Sequence, residues 1–468
     1  MTATQAPKAT VSPTQPPGNP RELPRPPGPT PWAVVSSFAE LRADPPEFMA
    51  KLARTYGPVV RVNLGVERLI YVNDPELIQE ILVGRAADLV KDSITQKLNE
   101  TLGNGLLTSE GAFWRRQRKL MAPLFKRKTL ESYASVMVDR TDRWLATMGD
   151  GEERDVHADM MRLTLDIIVG TVFGMELDLD ATRVGHAIDL MMDQFEKELR
   201  TWRRFVPQSW LLGGRAKTAE ARATLDGVVY PLIRKRREAL QAGGESDDIV
   251  TRLLAARGED GTAMSDQQVR DEAVTMFVAG HETTALVLTF AALLLARRPE
   301  VADRLREEAQ SALGERSPTM ADMAQLPLAR AVVLETMRLY PPAYIIGRKS
   351  MVPINLGGFR VDAGEQMLMV QWVMHRDARW FVEPTEFRPE RWLDGLEERL
   401  PRGVYFPFGG GPRICIGQHF AMMEATLCLV TMVRRVGWTL DAGYQLELSP
   451  AVTLRPRGGL RMKVKRLG

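Results

Sequence analysis

The stretch Phe408-Gly409-Gly410-Gly411-Pro412-Arg413-Ile414-Cys415-Ile416-Gly417 constrains this chain more than any other. Its glycines let the backbone fold tightly around one sulfur and leave room for a flat ligand. A helical pattern follows from about Ile416 to Arg435. Cys415 therefore falls at a helix N-terminus, where the dipole and unpaired N–H groups favour the thiolate that bonds metals. Arg413, two residues earlier, can pair with a carboxylate carried by the same ligand. The one other cysteine, Cys428, has no such setting and reads as core. Two thiols cannot build a Cys-rich zinc site or a disulfide framework. A single thiolate that leaves the remaining coordination to a cofactor matches a haem iron better than zinc. Taken alone, Cys415 reads far more readily as a buried structural cysteine after a Gly-rich turn, and only the spacing of its neighbours changes that.

The rest of the pattern is mostly helical. Ten of the 30 prolines fall in the first 31 residues, so residues 1–31 read as an extended, disordered leader. Val59 to Val72 reads as two strands around Gly65, and Asp74-Pro75-Glu76 opens a helix with Asp as its cap. From about Gly111 to Gly314 helices dominate, broken at Gly149-Asp150-Gly151, Gly213-Gly214 and Gly243-Gly244. Met351 to Met374 turns β-like, with a break at Gly357-Gly358. Phe387 to Gly411 is a long irregular segment. The expectation is a mainly α fold with a small β region: an α-rich body with a long central helix, and strands drawn from about 45–75 and 345–385 meeting in one minor sheet. Residues 32–468 then form a single catalytic domain.

The long helix starts at Ser265-Asp266-Gln267-Gln268, which resembles a capping box, and runs to about Arg298 with Pro299 as its stop. Its length of roughly 50 Å crosses the whole molecule. Its middle holds Ala279-Gly280-His281-Glu282-Thr283-Thr284 between apolar flanks. Gly280 is expected to loosen the helix, and the Thr283 hydroxyl to reach the carbonyl of Ala279 and open the local ladder. That would leave a groove beside an acid and an alcohol, suited to O₂ and to delivering protons. His281 reads as a polar helix residue only.

The order Phe-x-x-Gly-x-Arg-x-Cys-x-Gly resembles the haem-binding signature of the cytochrome P-450 family, with Phe408, Gly411, Arg413, Cys415 and Gly417 in its fixed positions. The acid–alcohol segment also resembles that family's. The resemblance implies that Cys415 ligates the iron of haem b, with Phe408 and Gly409 beside the macrocycle. Ala279 and Gly280 would lie over its distal face, Thr283 would hydrogen-bond the bound dioxygen species, and Glu282 would relay protons. Trp114 and Arg118, at i and i+4, resemble the family's Trp-x-x-x-Arg pair that holds a haem propionate. Arg348 stands where many members carry a second propionate arginine, and Lys97 is a further candidate. Glu335, Arg338 and Arg391 resemble the family's Glu–Arg–Arg triad, which braces the cysteine loop. The implied substrate pocket is bordered by Phe277, Ala279, Thr283 and Ala343, with substrate contacts from about Leu89 to Leu107 and Met175 to Gly214.

The implied activity is a monooxygenase that inserts one atom of O₂ into a hydrophobic organic substrate, with NAD(P)H serving indirectly through a partner. Between Gly111 and Leu130 lie seven basic residues and no acidic one. Arg115, Arg116, Lys119, Lys126, Arg127 and Lys128 suit the docking of an acidic donor, a ferredoxin or flavodoxin with its reductase. Lys plus Arg is 62 against 59 for Asp plus Glu, which makes no case for nucleic acid. The apolar run Ala285 to Ala296 is short for a bilayer span. The chain is therefore expected to resemble the soluble bacterial-type forms, without an anchor or a fused reductase, as a cytoplasmic monomer. Two rivals stand beside this reading: a haem-thiolate peroxygenase or isomerase that dispenses with O₂ and reductase, and a non-enzymatic haem-based gas sensor.

Overall fold

The computed structural model describes residues 20–64, 67–175, 179–200, 212–244 and 247–467. Nine helices matter for the site: α1 (Ser93–Lys97), α2 (Gly111–Met121), α3 (Arg127–Leu145), α4 (Val156–Ile168), α5 (Leu179–Arg200), α6 (Leu212–Gln241), α7 (Asp266–Arg297), α8 (Pro327–Leu339) and α9 (Gln418–Val433). Helix α7 is the axis of the body and packs against α4, α6, α8 and α9. Its N-terminus is the expected capping box, Ser265 and Gln268 each bonding the other's backbone. By length and composition α7 could cross a bilayer, but 78% of its most apolar window is buried in protein. That explains its apolarity: it is apolar on every side because other helices surround it.

The minor β region forms as expected from strands far apart in sequence. The strands β1 (Val59–Asn63), β2 (Arg68–Val72), β3 (Leu89–Lys91), β4 (Ile346–Ser350) and β5 (Gln366–Met369) form one sheet in the order β1-β2-β5-β4-β3. Only β2 and β5 pair in parallel. A C-terminal hairpin, β6 (Leu448–Pro450) and β7 (Leu454–Pro456), stands apart from this sheet.

Several boundaries differ from expectation. Residues 45–56, expected in the β region, form the helix Pro45–Tyr56, capped by Asp44 and opened by two prolines. Beyond Met369 the second β region gives way to a short helix, Gln371–Met374, and turns. Gly213-Gly214 lies in the first turn of α6 instead of breaking the chain. Residues 20–30 are not free: the Pro27 carbonyl accepts from the Arg61 N–H, and Arg25 pairs with Asp362 and Glu365. Proline favours the extended backbone that lies along a sheet edge as readily as a disordered one. Residues 1–19 of the expected leader lie outside the described residues, as do 176–178 and 201–211 of the second expected substrate segment.

Candidate active site

Gly409 to Gly417 forms a tight loop ahead of α9. The Cys415 N–H donates to the carbonyl of Phe408 at 2.9 Å, closing the loop on itself. Gly411 is obligatory here: its φ is +64°, and a Cβ would sit 2.0 Å from the carbonyl oxygen of Leu82. The loop is braced from behind. Buried Glu335 accepts from Arg338 at 2.8 Å, from Arg391 at 3.0 Å and from the Trp392 indole at 2.8 Å. The same Arg338 donates to the carbonyls of His375, Pro384 and Glu386. The three expected triad residues thus meet, tying α8 to the irregular segment that leads into the cysteine loop.

The Cys415 thiol opens into a cavity of about 410 Å³, bordered also by Ala279, Gly280, Glu282 and Thr283 of α7. Phe408, Gly409 and Ala343 border it too. Phe277 does not. It is fully buried in the body, beside Phe173 and His281, because its position on α7 turns it toward α4 and away from the cavity. Sequence position placed it two residues from Ala279, but 3.6 residues per turn separates the two faces. His281 bonds the Met161 carbonyl at 3.1 Å and is core, with burial pulling its imidazole down to about 4.

Cations collect around this cavity. Arg118 reaches across from α2 to the Ile414 carbonyl at 2.7 Å. Arg413 stacks 3.8 Å over the ring of Trp114 and donates to Ser109 and Glu110. Arg348 on β4 and Lys91 on β3 complete the set, their strands being paired side by side. Burial, with the charges of Arg348 and Arg413, pulls the Lys91 amine down to about 7. Burial, against the pull of Glu110, lowers Arg413 to about 10. Burial is the main cause of both shifts and repulsion between the cations a lesser one, and a ligand with two carboxylates would offset both. Lys97 does not border the cavity; it sits in the last turn of α1. Lys91 takes its place. The signal that could have found it was the pairing of the strand Leu89–Lys91 with the one carrying Arg348, which the sequence does not reveal.

The sulfur's electrostatics differ from expectation. Burial pushes the Cys415 thiol up, and the Gly417 N–H, Arg118 and Lys91 only partly oppose it. A metal cation facing the sulfur is what would tip the balance to thiolate. The residues therefore fit a haem: one thiol bordering a cavity of about 410 Å³, and four cations in the same lining for two propionates. Cys428 is buried against Thr141 and is core.

Helix α7 behaves differently from the loosened helix expected. It runs unbroken through Gly280, where a Cβ would lie 2.9 Å from Ile168 of α4. The Thr283 hydroxyl does donate to the Ala279 carbonyl, at 2.6 Å. Glu282 is held by Arg455 of β7 and by the hydroxyl of Thr453. Burial works to raise its carboxyl, but the bond and charge of Arg455 hold it below the usual carboxylate range.

On the outer side, Arg115, Lys119, Lys126, Arg127 and Lys128 are exposed and Arg116 half-buried. Arg118 and Phe125, from the same segment, border the cavity near Cys415, so this basic face lies behind the cysteine wall. Part of its charge is already matched, Lys119 by Glu259 and Arg127 by Glu131 at 3.6 Å.

Comparison with known proteins agrees with this geometry. The family profile for cytochrome P-450 matches residues 26–463. Cyclooctatin synthase of Streptomyces melanosporofaciens is 32% identical, the match covering 88% of this chain and 88% of that protein. Cyclooctat-9-en-7-ol 5-monooxygenase of the same organism is 33% identical over 85% of each chain. The chloroplastic protein LUTEIN DEFICIENT 5 of Arabidopsis thaliana is 31% identical over 88% of this chain and 73% of its own length.

Proposed function

The chain belongs to the cytochrome P-450 family and is a haem monooxygenase, and from that premise we propose that it oxidises a neutral, hydrocarbon-rich substrate with electrons from a separate acidic redox protein. The observation that carries this reading is a single cavity bordered both by Cys415 and by Ala279, Gly280 and Thr283.

Haem, when bound, supplies the oxygen activation and electron transfer; one oxygen atom enters the substrate and the other leaves as water. Cys415 holds the iron through Sγ. Trp114, Arg118, Arg348, Arg413 and Lys91 hold the two propionates, the stacked Arg413 and the strand-borne Arg348 being already fixed in place. Thr283 moves a proton at Oγ1, by turning that hydroxyl from the Ala279 carbonyl into the cavity. Glu282, ionised by Arg455, accepts and returns protons at the cavity edge beside Thr453. Leu98, Leu102, Val287 and Ile346 exclude water from the reacting end.

The substrate's neutrality follows from charge. Among the described lining residues, the cations are the four assigned to the propionates, and Glu282 is matched by Arg455. An anionic group on the substrate would have no partner. The name of the relative that acts on cyclooctat-9-en-7-ol, an unsaturated alcohol, is in keeping with this. The donor docks on Arg115, Arg116, Lys119, Lys126, Arg127 and Lys128, giving its electrons from the cysteine side. The proposal extends to a cytoplasmic monomer; α7, the helix among the described residues long and apolar enough to cross a bilayer, is mostly buried in the core.

The test is spectroscopic. Purified, haem-loaded chain should give a red-shifted ferrous–CO Soret band that Cys415→Ala abolishes and Cys428→Ala retains. Neutral terpenoid alcohols should shift the Soret band on binding, and fatty acid anions should not. Turnover with hydrogen peroxide but never with NAD(P)H, a reductase and O₂ would replace this reading with the peroxygenase one. Absence of any substrate-coupled NAD(P)H consumption would favour a sensor.

A further inference from the structure

Two turns before its catalytic stretch, α7 carries three ionisable residues in a row, Arg270, Asp271 and Glu272, all at most 4% exposed. Buried ionisable side chains are costly and call for a reason, and no step assigned to Cys415, Glu282 or Thr283 uses these three. All three bond one short segment, 102–106. Leu102, Leu106 and the following Leu107 border the cavity.

We propose that Asp271 and Glu272 are positioning residues that set the size of the substrate this chain accepts, by clamping the segment 103–107 as a fixed wall of the cavity. The contacts are specific to the backbone. The Asn104 N–H donates to Asp271 Oδ2 at 2.9 Å, and the Leu106 N–H donates to Glu272 Oε2 at 2.9 Å. Arg270 donates to the Leu102 carbonyl at 2.9 Å and to Asp271 Oδ1 at 3.0 Å, and is anchored to Asp226 of α6 at 2.7 Å. The Thr108 hydroxyl closes the turn onto the Gly103 carbonyl at 2.7 Å.

The two glycines show how tightly the segment seats. A Cβ on Gly103, whose φ is +89°, would lie 2.2 Å from the Asp271 carboxylate. One on Gly105 would lie 2.1 Å from Thr275 Oγ1 and 2.7 Å from the Asp271 carbonyl. Thr275 and Met276, one turn beyond Asp271 and Glu272, themselves border the cavity. The clamp thus fixes Leu106 and Leu107 relative to Thr275 and Met276, and with them the width of the pocket. Glu272 is the cleaner half of the device: its other oxygen, Oε1, has no hydrogen-bond partner, so the Leu106 amide is the group it serves.

The inference rests on the monooxygenase reading only for what enters the cavity. It is tested on the haem-loaded chain with Glu272→Ala, Glu272→Gln and Gly105→Ala, by amide hydrogen exchange and by Soret-shift titration with a small and a large neutral cyclic alcohol. Glu272→Ala should speed exchange of the 104–108 amides at least tenfold while α8 and α9 stay protected. It should also move the ratio of the two dissociation constants at least tenfold toward the larger ligand. Gly105→Ala, which lifts the segment without touching a carboxyl, should do the same. Glu272→Gln, whose amide oxygen can accept the same bond, should behave as wild type. Unchanged exchange and an unchanged ratio in Glu272→Ala would overturn the proposal, as would a Glu272→Gln variant as loose as Glu272→Ala. Failure of the haem reading would show separately, as a wild-type chain without a Soret band, and leaves the exchange result standing.

Discussion

The guanidinium of Arg455 donates to the carboxylate of Glu282, a residue 173 positions earlier in the chain. Arg455 also pairs with Glu196 of α5 at 3.3 Å, so one side chain of the C-terminal hairpin ties α5 to the acid beside Thr283. An acid that sequence alone presents as a free proton carrier is in fact fixed in position and charge by a residue from the far end of the chain.

Arg455→Gln should therefore act on both stability and proton handling. Glu282 lies below its ordinary value when folded, so the pair contributes stability above the usual carboxylate range, and this is lost as pH falls through the folded value. The variant should be less stable by about 2 kcal/mol at neutral pH, below the ~3–5 of a wholly buried pair because Arg455 keeps part of its exposure. The gap between the two melting curves should close below about pH 4. Equal melting at pH 7 would contradict the assignment.

The triad is the most sensitive structural point. Glu335 and Arg338 are both 0% exposed. Glu335→Gln leaves the Arg338 charge buried without its counter-ion, at a cost of about 3 kcal/mol or more. The expected outcome is a haem-poor protein with a lowered melting temperature, read from the haem-to-protein ratio and a thermal scan.

Burial pushes Glu424, on α9 under α7, up to about 8, with the Thr284 hydroxyl opposing. The folded chain then holds a proton that the unfolded chain releases near pH 4, so this residue makes stability fall as pH rises from about 4 to 8. Glu272, raised to about 8 by burial, adds a tilt of the same sign. Glu424→Gln should flatten the melting temperature against pH across that window, though not remove the slope entirely.

Charge reversal on the outer face should slow reduction by an acidic donor. Lys126→Glu with Lys128→Glu is expected to raise the apparent KM for the donor several-fold at low ionic strength. The effect should shrink as salt approaches 1 M, where screening is short-ranged. Stopped-flow reduction across a salt series measures this, and a salt-independent effect would argue against docking there.

Much of this protein is legible in one dimension because its chemistry is local. The loop at Cys415, the Ser265–Gln268 capping box and the Thr283–Ala279 hydrogen bond each act through neighbours a few residues apart, and the Trp114–Arg118 spacing puts both side chains on one helix face. The helix and turn geometry that relates such neighbours is set by the backbone itself. The sequence likewise carried the mainly α fold and the minor sheet, through apolar periodicity and β-branched runs. Only the tertiary structure decided the rest: that Lys91 and not Lys97 reaches the cavity, that Phe277 faces away from it, that residues 20–30 dock against the sheet, and that Arg455 claims Glu282. Each of these depends on which distant segments come to lie side by side. That follows from burying apolar surface over the whole chain, and because the driving force is non-directional, it leaves no short-range mark in the sequence.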